Sequence, residues 1–199
     1  VLMDYIIAMF IDYYSKNSHS KQYVCDLRAS RVILDIAKER GVKVELLRVG
    51  RSFYQDYLLK HNCKFGGELS GHLFFHDFHN LDNPDIALIY LLKIIAQQKI
   101  NSKNEFRFSE FVSQYKKYSR IEETNLEVKD PNKVFTILEK DFKIKIVSQI
   151  DGLSFDFGSY WFNVRKSNTE PIIRINFEGT DEKQTKAEFD KLIEKIKKC

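Results

Sequence analysis

The chain has 199 residues, of which 43% are hydrophobic and 14% aromatic, with only 8 glycines and 3 prolines. That is enough for two domains with real cores, and it excludes the disordered, collagen-like and low-complexity classes. The net charge of +4 arises from 32 Lys and Arg against 28 Asp and Glu, with the signs interspersed, a bias too mild to point to nucleic acid. Cys25, Cys63 and Cys199 form neither a CxxC pair nor a disulfide framework, which suits a reducing, cytoplasmic setting. Apolar runs such as residues 86–96 fall short of the roughly 18–20 residues that span a membrane, and no signal peptide is visible. The chain opens on Val1 and passes at once into an amphipathic segment, which leads us to expect a fragment that lacks N-terminal domains.

In chain order, Met3, Ile6, Ile7 and Phe10 recur at helical spacing, so residues 2–14 read as a helix. Residues 22–26 read as a strand, and residues 30–40 as a helix stopped by Gly41. A second strand is expected at 42–47, broken at Gly50, with Ser52 capping a helix that runs to His61. A third unit is expected from a strand over 71–75 and a helix opened by Pro84. Repeated βα units of this length build a parallel sheet. The rhythm changes near residue 104. Residues 105–118 read as a connector with a short helix, and 119–199 as a smaller α+β module. Its strands fall at 122–128, 144–149, 153–157, 160–164 and 172–178, and its helices at 131–141 and 183–198. The expected fold class is therefore α/β: a βα-repeat domain with a mixed or parallel sheet over residues 1–104, followed by a smaller α+β domain.

Four stretches offer chemistry. Arg165-Lys166-Ser167-Asn168-Thr169-Glu170-Pro171 lies between two apolar strands and presents a guanidinium, two hydroxyls and an amide, donors suited to a phosphate. On local residues alone it is equally an ordinary hairpin turn. Gly66-Gly67-Glu68-Leu69-Ser70-Gly71-His72 has flanking glycines that let a ligand approach the backbone, while Glu68 and Ser70 at spacing two can bracket neighbouring hydroxyls. A glycine-rich bend with a solvated Glu68 is the plainer alternative. The loops after the first two strands, with Arg28, Arg31, Arg48 and Arg51, stand where open α/β sheets bind ligands and suggest an anionic one, although pairing of each arginine with a surface carboxylate is as simple. His72, His76, Asp77 and His79 invite a metal reading that the strand geometry does not favour. No Ser-His-Asp or Cys-His arrangement, GxGxxG or P-loop is present.

Two of these stretches together resemble a known family. Gly67-Glu68-Leu69-Ser70-Gly71-His72 is similar to the G-E-x-S-G-H sugar-binding loop of the α-D-phosphohexomutases, the phosphomannomutase/phosphoglucomutase family, and Arg165 to Pro171 is similar to their R-x-S-N-T-x-P phosphate-binding loop. Order, separation and the preceding Asp151-Gly152-Leu153 also agree. The resemblance covers nearly the whole chain, as domains three and four of a four-domain enzyme. It implies reversible transfer of phosphate between the 1- and 6-positions of a hexose through a hexose 1,6-bisphosphate, with an active-site phosphoserine and Mg²⁺ carried by the first two domains, so that no catalytic or metal residue is expected within this chain. It implies that Glu68 and Ser70 hold sugar hydroxyls, with Gly67, His72, Gly50, Arg51 and Arg28 around them, and that Arg165, Ser167, Asn168 and Thr169 grip the non-reacting phosphate. Two positions depart from the family pattern: Arg28 stands where Lys is common, and Gly50-Arg51-Ser52 where G-H-S is common. The implied partners are a hexose phosphate and the two N-terminal domains, with neither nucleic acid nor a membrane. A stand-alone, non-catalytic sugar-phosphate-binding module, a phosphoglucosamine mutase-like enzyme and a small basic nucleic-acid binder are the alternatives.

Overall fold

The computed structural model describes residues 2–102, 105–167 and 170–198. The chain divides into two compact units, Val1–Lys117 and Tyr118–Cys199.

The first unit follows the order α1 (Met3–Asn17), β1 (Gln22–Asp26), α2 (Val32–Arg40), β2 (Lys43–Leu47), α3 (Arg51–His61), β3 (Phe65–Gly67), β4 (Leu73–Phe75), β5 (Leu81–Asp82), α4 (Pro84–Asn101) and α5 (Phe108–Ser113). Its sheet runs β2-β1-β3-β4-β5, with β1 parallel to β2 and β3, and the β3–β4 and β4–β5 pairs antiparallel. Two corrections follow. The third parallel strand is β3, and the strand expected over 71–75 is the shorter β4, which runs the other way. The physical reason is chain length, since a parallel crossover needs about a dozen residues or more and the Gly67-to-Leu73 turn has far fewer. Ser52 does not cap α3. It lies inside the helix, and the N-cap is Gly50, at φ 137°.

Adjacent glycines of β3 show how the layers are stacked. A Cβ on Gly66 would come within 2.6 Å of Val24 and 3.0 Å of Leu58 in α3, whereas one on Gly67 would come within 2.6 Å of Ile7 in α1. Successive strand residues face opposite sides of a sheet, so α1 and α3 cover opposite faces, each packed directly on the β3 backbone. The core between them is aromatic and aliphatic: Ile7, Phe10, Tyr23, Val24, Ile33, Tyr54, Leu58, Phe65, Phe74 and Phe75 are all buried. Each contributes about 1.5–3 kcal/mol relative to exposure. Helix α4 starts with a Pro84 first turn and an Asn83 cap whose side chain accepts from the Ile86 N–H. Within the segment expected to be a connector, α5 and the residues after it bury Val112 and Tyr115.

The second unit contains β6 (Ser119–Glu127), α6 (Pro131–Asp141), β7 (Ile146–Ser148), β8 (Leu153–Asp156), β9 (Tyr160–Lys166), β10 (Ile172–Gly179) and α7 (Glu182–Lys197). The strand expected over 144–149 is shortened at its start by a 3-10 turn, Lys143–Lys145. The sheet order is β6-β10-β9-β8-β7, antiparallel throughout. Phe155, Phe162, Val164, Ile173, Ile175 and Phe177 from the strands pack with Val134 and Leu138 of α6 and Phe189, Leu192 and Ile196 of α7. The alternate residues of β9 and β10, among them Asn163, Arg165, Arg174 and Asn176, therefore belong to the opposite, polar face. Asp181 caps α7 by accepting from the Gln184 N–H, as expected from the acidic residues at its start. The fold is thus mixed α/β followed by a smaller α+β unit, as the sequence pattern predicts. Among the described residues, no helix is long and apolar enough to cross a membrane.

Candidate functional site

The parallel strands β1, β2 and β3 end at Asp26, Leu47 and Gly67, in register with one another. Their following loops share one sheet edge, which brings Arg28, Gly50, Arg51, Glu68, Ser70 and His72 to a common place, where open α/β sheets bind ligands. The loop after β3 is a tight turn: Glu68 N–H donates to the His72 carbonyl at 2.9 Å, and Gly71 N–H to the Glu68 carbonyl at 3.0 Å. Gly71 sits at φ 100°, a conformation that excludes most side chains. Ser70 is exposed at the tip of this turn, whereas Glu68 is only 3% exposed. Its Oε2 is buried and makes no hydrogen bond among the described residues. A carboxylate oxygen taken out of water costs free energy unless a donor meets it, so this position is prepared for a hydroxyl or amide from outside the chain.

Asp26, fully buried, organises the neighbouring loop. It accepts from the Arg28 N–H at 2.9 Å and Nε at 2.8 Å, also from Nη2, and lies 3.4 Å from the Leu69 N–H. The Arg28 guanidinium is thereby fixed beside the Glu68 loop, its charge shared with Asp26. On the far side, His72 Nδ1 stands 2.6 Å from Asp82 Oδ2, and Asp82 Oδ1 accepts from the Leu73 N–H at 3.0 Å. In the tautomer that donates Nδ1–H to this carboxylate, Nε2 is left as a hydrogen-bond acceptor for a ligand hydroxyl. Arg51 Nη2 lies 3.9 Å from the same Asp82 oxygen, so the residue found where the family has a histidine places its cation beside His72. Gly67 contributes by absence, since its missing side chain lets Ile7 support the loop from below.

Sequence reasoning missed Tyr54. It is fully buried, its ring stacks on Phe74 at 5.1 Å between centroids, and its hydroxyl makes no hydrogen bond among the described residues. Burial first, and then the charges of Asp26, Cys25 and Glu68, push its phenol pKa far up, so it stays neutral. Only its helical spacing from Leu58 marked it as inward-facing. His76 pairs with Asn80 at 2.8 Å, and Asp77 with Lys64 at 2.6 Å. Among the described residues, no group of three or more His, Cys, Asp or Glu side chains gathers to hold a metal.

In the second unit, β9 and β10 place Arg165 directly opposite Arg174 at the end of a hairpin. Its loop is closed by the Ser167 N–H donating to the Ile172 carbonyl at 3.0 Å. Asn168 and Thr169, expected to grip phosphate with Arg165 and Ser167, lie outside the described residues. Lys166 points away from Arg165, onto Asn132 Oδ1 at 2.6 Å and over the Phe135 ring. Arg165 is packed beneath the Asp151-Gly152 turn. Gly152 has φ 80°, and a Cβ there would come within 2.1 Å of the Val164 carbonyl and 2.8 Å of Arg165 Cα. The Arg165 guanidinium lies 3.5 Å from Glu123 Oε2 and 3.9 Å from Asp151 Oδ2, with its Nε buried and unmatched among the described residues.

The chain thus pairs a mixed-sheet α/β unit, with a carboxylate-bearing loop at its carboxyl edge, with an antiparallel unit that carries an arginine-headed hairpin loop, and comparison with known proteins places this pair of units in a family. The family model for phosphoglucomutase/phosphomannomutase alpha/beta/alpha domain III matches residues 3–118, and that for the family's C-terminal domain matches residues 123–195. The chain belongs to the phosphoglucomutase/phosphomannomutase family. It is 30% identical to a phosphomannomutase of Methanocaldococcus jannaschii over 189 residues, covering 95% of this chain and 41% of that protein. It is 27% identical to a phosphomannomutase/phosphoglucomutase of Pseudomonas syringae, covering 96% of this chain and 40% of the relative. In fold it is similar to a phosphoglucomutase/phosphomannomutase family protein from Burkholderia thailandensis, with TM-score 0.80, 22% identity, and coverage of 99% of this chain and 42% of that one. It also matches an Aspergillus fumigatus N-acetylphosphoglucosamine mutase solved with GlcNAc-6P and magnesium, with TM-score 0.67, 12% identity, and coverage of 99% and 46%. The chain thus spans about two fifths of the length of the relatives it matches.

Proposed function

We propose that this chain is the substrate-holding part of a phosphohexomutase that interconverts hexose 1-phosphate and hexose 6-phosphate through a bisphosphorylated sugar. The observation that carries the reading is the buried, unmatched Glu68 carboxylate oxygen in a G-E-L-S-G-H turn at the carboxyl edge of the sheet. On this reading residues 1–104 form the sugar-binding domain, 105–118 a connector and 119–199 the phosphate-binding domain, in a cytoplasmic phosphoprotein.

Each residue has a chemical role. Glu68 accepts from the sugar's 3- or 4-hydroxyl, and Ser70 serves its neighbour as donor or acceptor. Gluco and manno sugars, which differ at the 2-position, are then both held. His72, with Nδ1–H committed to Asp82, offers Nε2 to a hydroxyl. Arg28, Gly50 and Arg51 border the sugar, and Arg165 with Ser167, Asn168 and Thr169 binds the phosphate that is not reacting. The magnesium and phosphoserine that the family resemblance implies belong on this reading to the two N-terminal domains; among the described residues no group of metal-ligating side chains gathers. Several modest hydrogen bonds suit an intermediate that must turn end for end.

Calorimetric titration of the chain with glucose 1-phosphate, mannose 1-phosphate and inorganic phosphate tests this, alongside Arg165→Ala and Glu68→Gln. Arg165→Ala should remove binding of all three ligands, and Glu68→Gln should weaken the two sugars while sparing inorganic phosphate. Equal loss of inorganic phosphate with Glu68→Gln, or full retention with Arg165→Ala, refutes the assignment.

A further inference from the structure

The two arginines near the candidate ligand sites, Arg28 buried and Arg165 half-buried, are held differently. Arg28 closes on Asp26 through both Nε and Nη2, which uses its fork. Arg165 is held more loosely: Nη2 donates a long 3.5 Å hydrogen bond to Glu123 Oε2, and Nη1 lies 3.9 Å from Asp151, both beyond the roughly 2.7–2.9 Å of a tight charge-assisted pair. Its Nε makes no hydrogen bond among the described residues. Glu123 stands on β6, across β10 from Arg165, and is held from its own side. Its Oε2 accepts from Asn176 Nδ2 at 3.0 Å, and its Oε1 lies 3.9 Å from Arg174 Nη1. A single carboxylate thus lies against two guanidiniums and is anchored by an amide.

We infer that Glu123 is a built-in competitor of phosphate at Arg165, a positioning residue that keeps the guanidinium in place and makes the phosphate grip shallow. The inference rests on the reading of Arg165 as a phosphate ligand. A phosphate on Arg165 brings a second anion to a cation that Glu123 already faces. The repulsion between them subtracts from affinity, while the long Nη2 contact with Glu123 holds the guanidinium in place without closing its fork. A site that must release one end of a bisphosphorylated sugar and accept the other gains from weak ground-state binding. The Glu123 side chain is 30% exposed, so its charge is partly solvated in the fold.

The test is titration of the chain with inorganic phosphate and with glucose 1-phosphate, at two salt concentrations. The comparison is between wild type, Glu123→Gln, Glu123→Asp and Arg165→Ala, with melting temperatures measured in parallel. Glu123→Gln keeps an oxygen for Asn176 and removes the charge. It should bind both ligands about tenfold more tightly, the size of partly screened repulsion between charges about 6 Å apart, and more steeply with falling salt. Glu123→Asp, which keeps the charge, should stay near wild type. Tighter binding is a readout that structural damage does not produce. Equal or weaker binding by Glu123→Gln, with Arg165→Ala still abolishing it, overturns the role of Glu123 alone. Failure of wild type to bind, or indifference to Arg165→Ala, overturns the phosphate-site reading and this inference with it. Loss of folding in Glu123→Gln also overturns it, since the carboxylate would then be structural.

Discussion

Replacing Glu68 with methionine separates stability from function, because the two should move in opposite directions. The residue is 3% exposed, and one carboxylate oxygen is buried with no donor among the described residues. An unmatched buried polar group costs about 1–3 kcal/mol. Methionine has nearly the same length and an apolar end, so Glu68→Met removes that cost and leaves the turn, whose bonds are made by the backbone of residues 68, 71 and 72. A discount for repacking leaves an expected gain of about 1 kcal/mol in the first unit. For a unit of this size that is a rise of about 4 °C in Tm. Calorimetric melting of the free chain reads the gain. Titration with glucose 1-phosphate should show sugar-dependent binding lost in the same variant. A variant less stable than wild type by 1 kcal/mol or more refutes the argument, since Glu68 would then be satisfied within the fold rather than held for a ligand.

Further outcomes are expected elsewhere. Gly152→Ala places a Cβ 2.1 Å from a backbone oxygen at positive φ and should destabilise the second unit by about 3 kcal/mol or more in chemical denaturation, with loss of phosphate binding. Asp26→Asn leaves the Arg28 guanidinium buried without its counter-ion and should cost about 3–5 kcal/mol, read as a lower urea midpoint of the first unit. Burial pushes the Cys63 thiol up to about 12. A thiol whose pKa is raised in the folded chain stabilises below its unfolded pKa and loses that contribution as pH rises, so stability should fall progressively between about pH 9 and pH 12, and Cys63→Ala should flatten that limb. At pH 8 Cys63 should resist iodoacetamide until the chain unfolds.

Most of the architecture was legible in period and punctuation. The 3.6-residue recurrence gave α1 and α2, Gly41 marked a stop, and Pro84 a start. The strand β3 was not legible, because Phe65-Gly66-Gly67 has no alternation to read. Its place is set by the layers above and below, which tolerate only glycine. With β3 hidden, the connection from β2 to β4 is long enough for a βα crossover, so the reversed direction of β4 is equally hidden. In the candidate site, Glu68, Ser70 and Arg165 stood out by motif, and Arg28 by charge. The pairing of Arg28 with Asp26 could not be read, since a bend and not a regular spacing brings them together. Glu123 and Arg165 are 42 residues apart, and only strand order makes them neighbours. Tyr54 was hidden because an inward tyrosine on a helix looks the same whether its hydroxyl is satisfied or not.

The pleat of β9 sends Arg165 to the polar face and Lys166 to the helix face, onto Asn132 and Phe135. Two cations thus stand side by side in sequence with opposite destinations, told apart only by parity. Inserting or deleting one residue in β9 would exchange them, aiming a compact ammonium at Glu123 and a flat guanidinium at the Phe135 ring. The same slip would turn Phe162 and Val164 out of the core. The apolar residues of this strand therefore act as a frame-keeper for its charges. A frame error that mispositions the arginine also unfolds the unit, so a folded second unit always presents the guanidinium and never the ammonium.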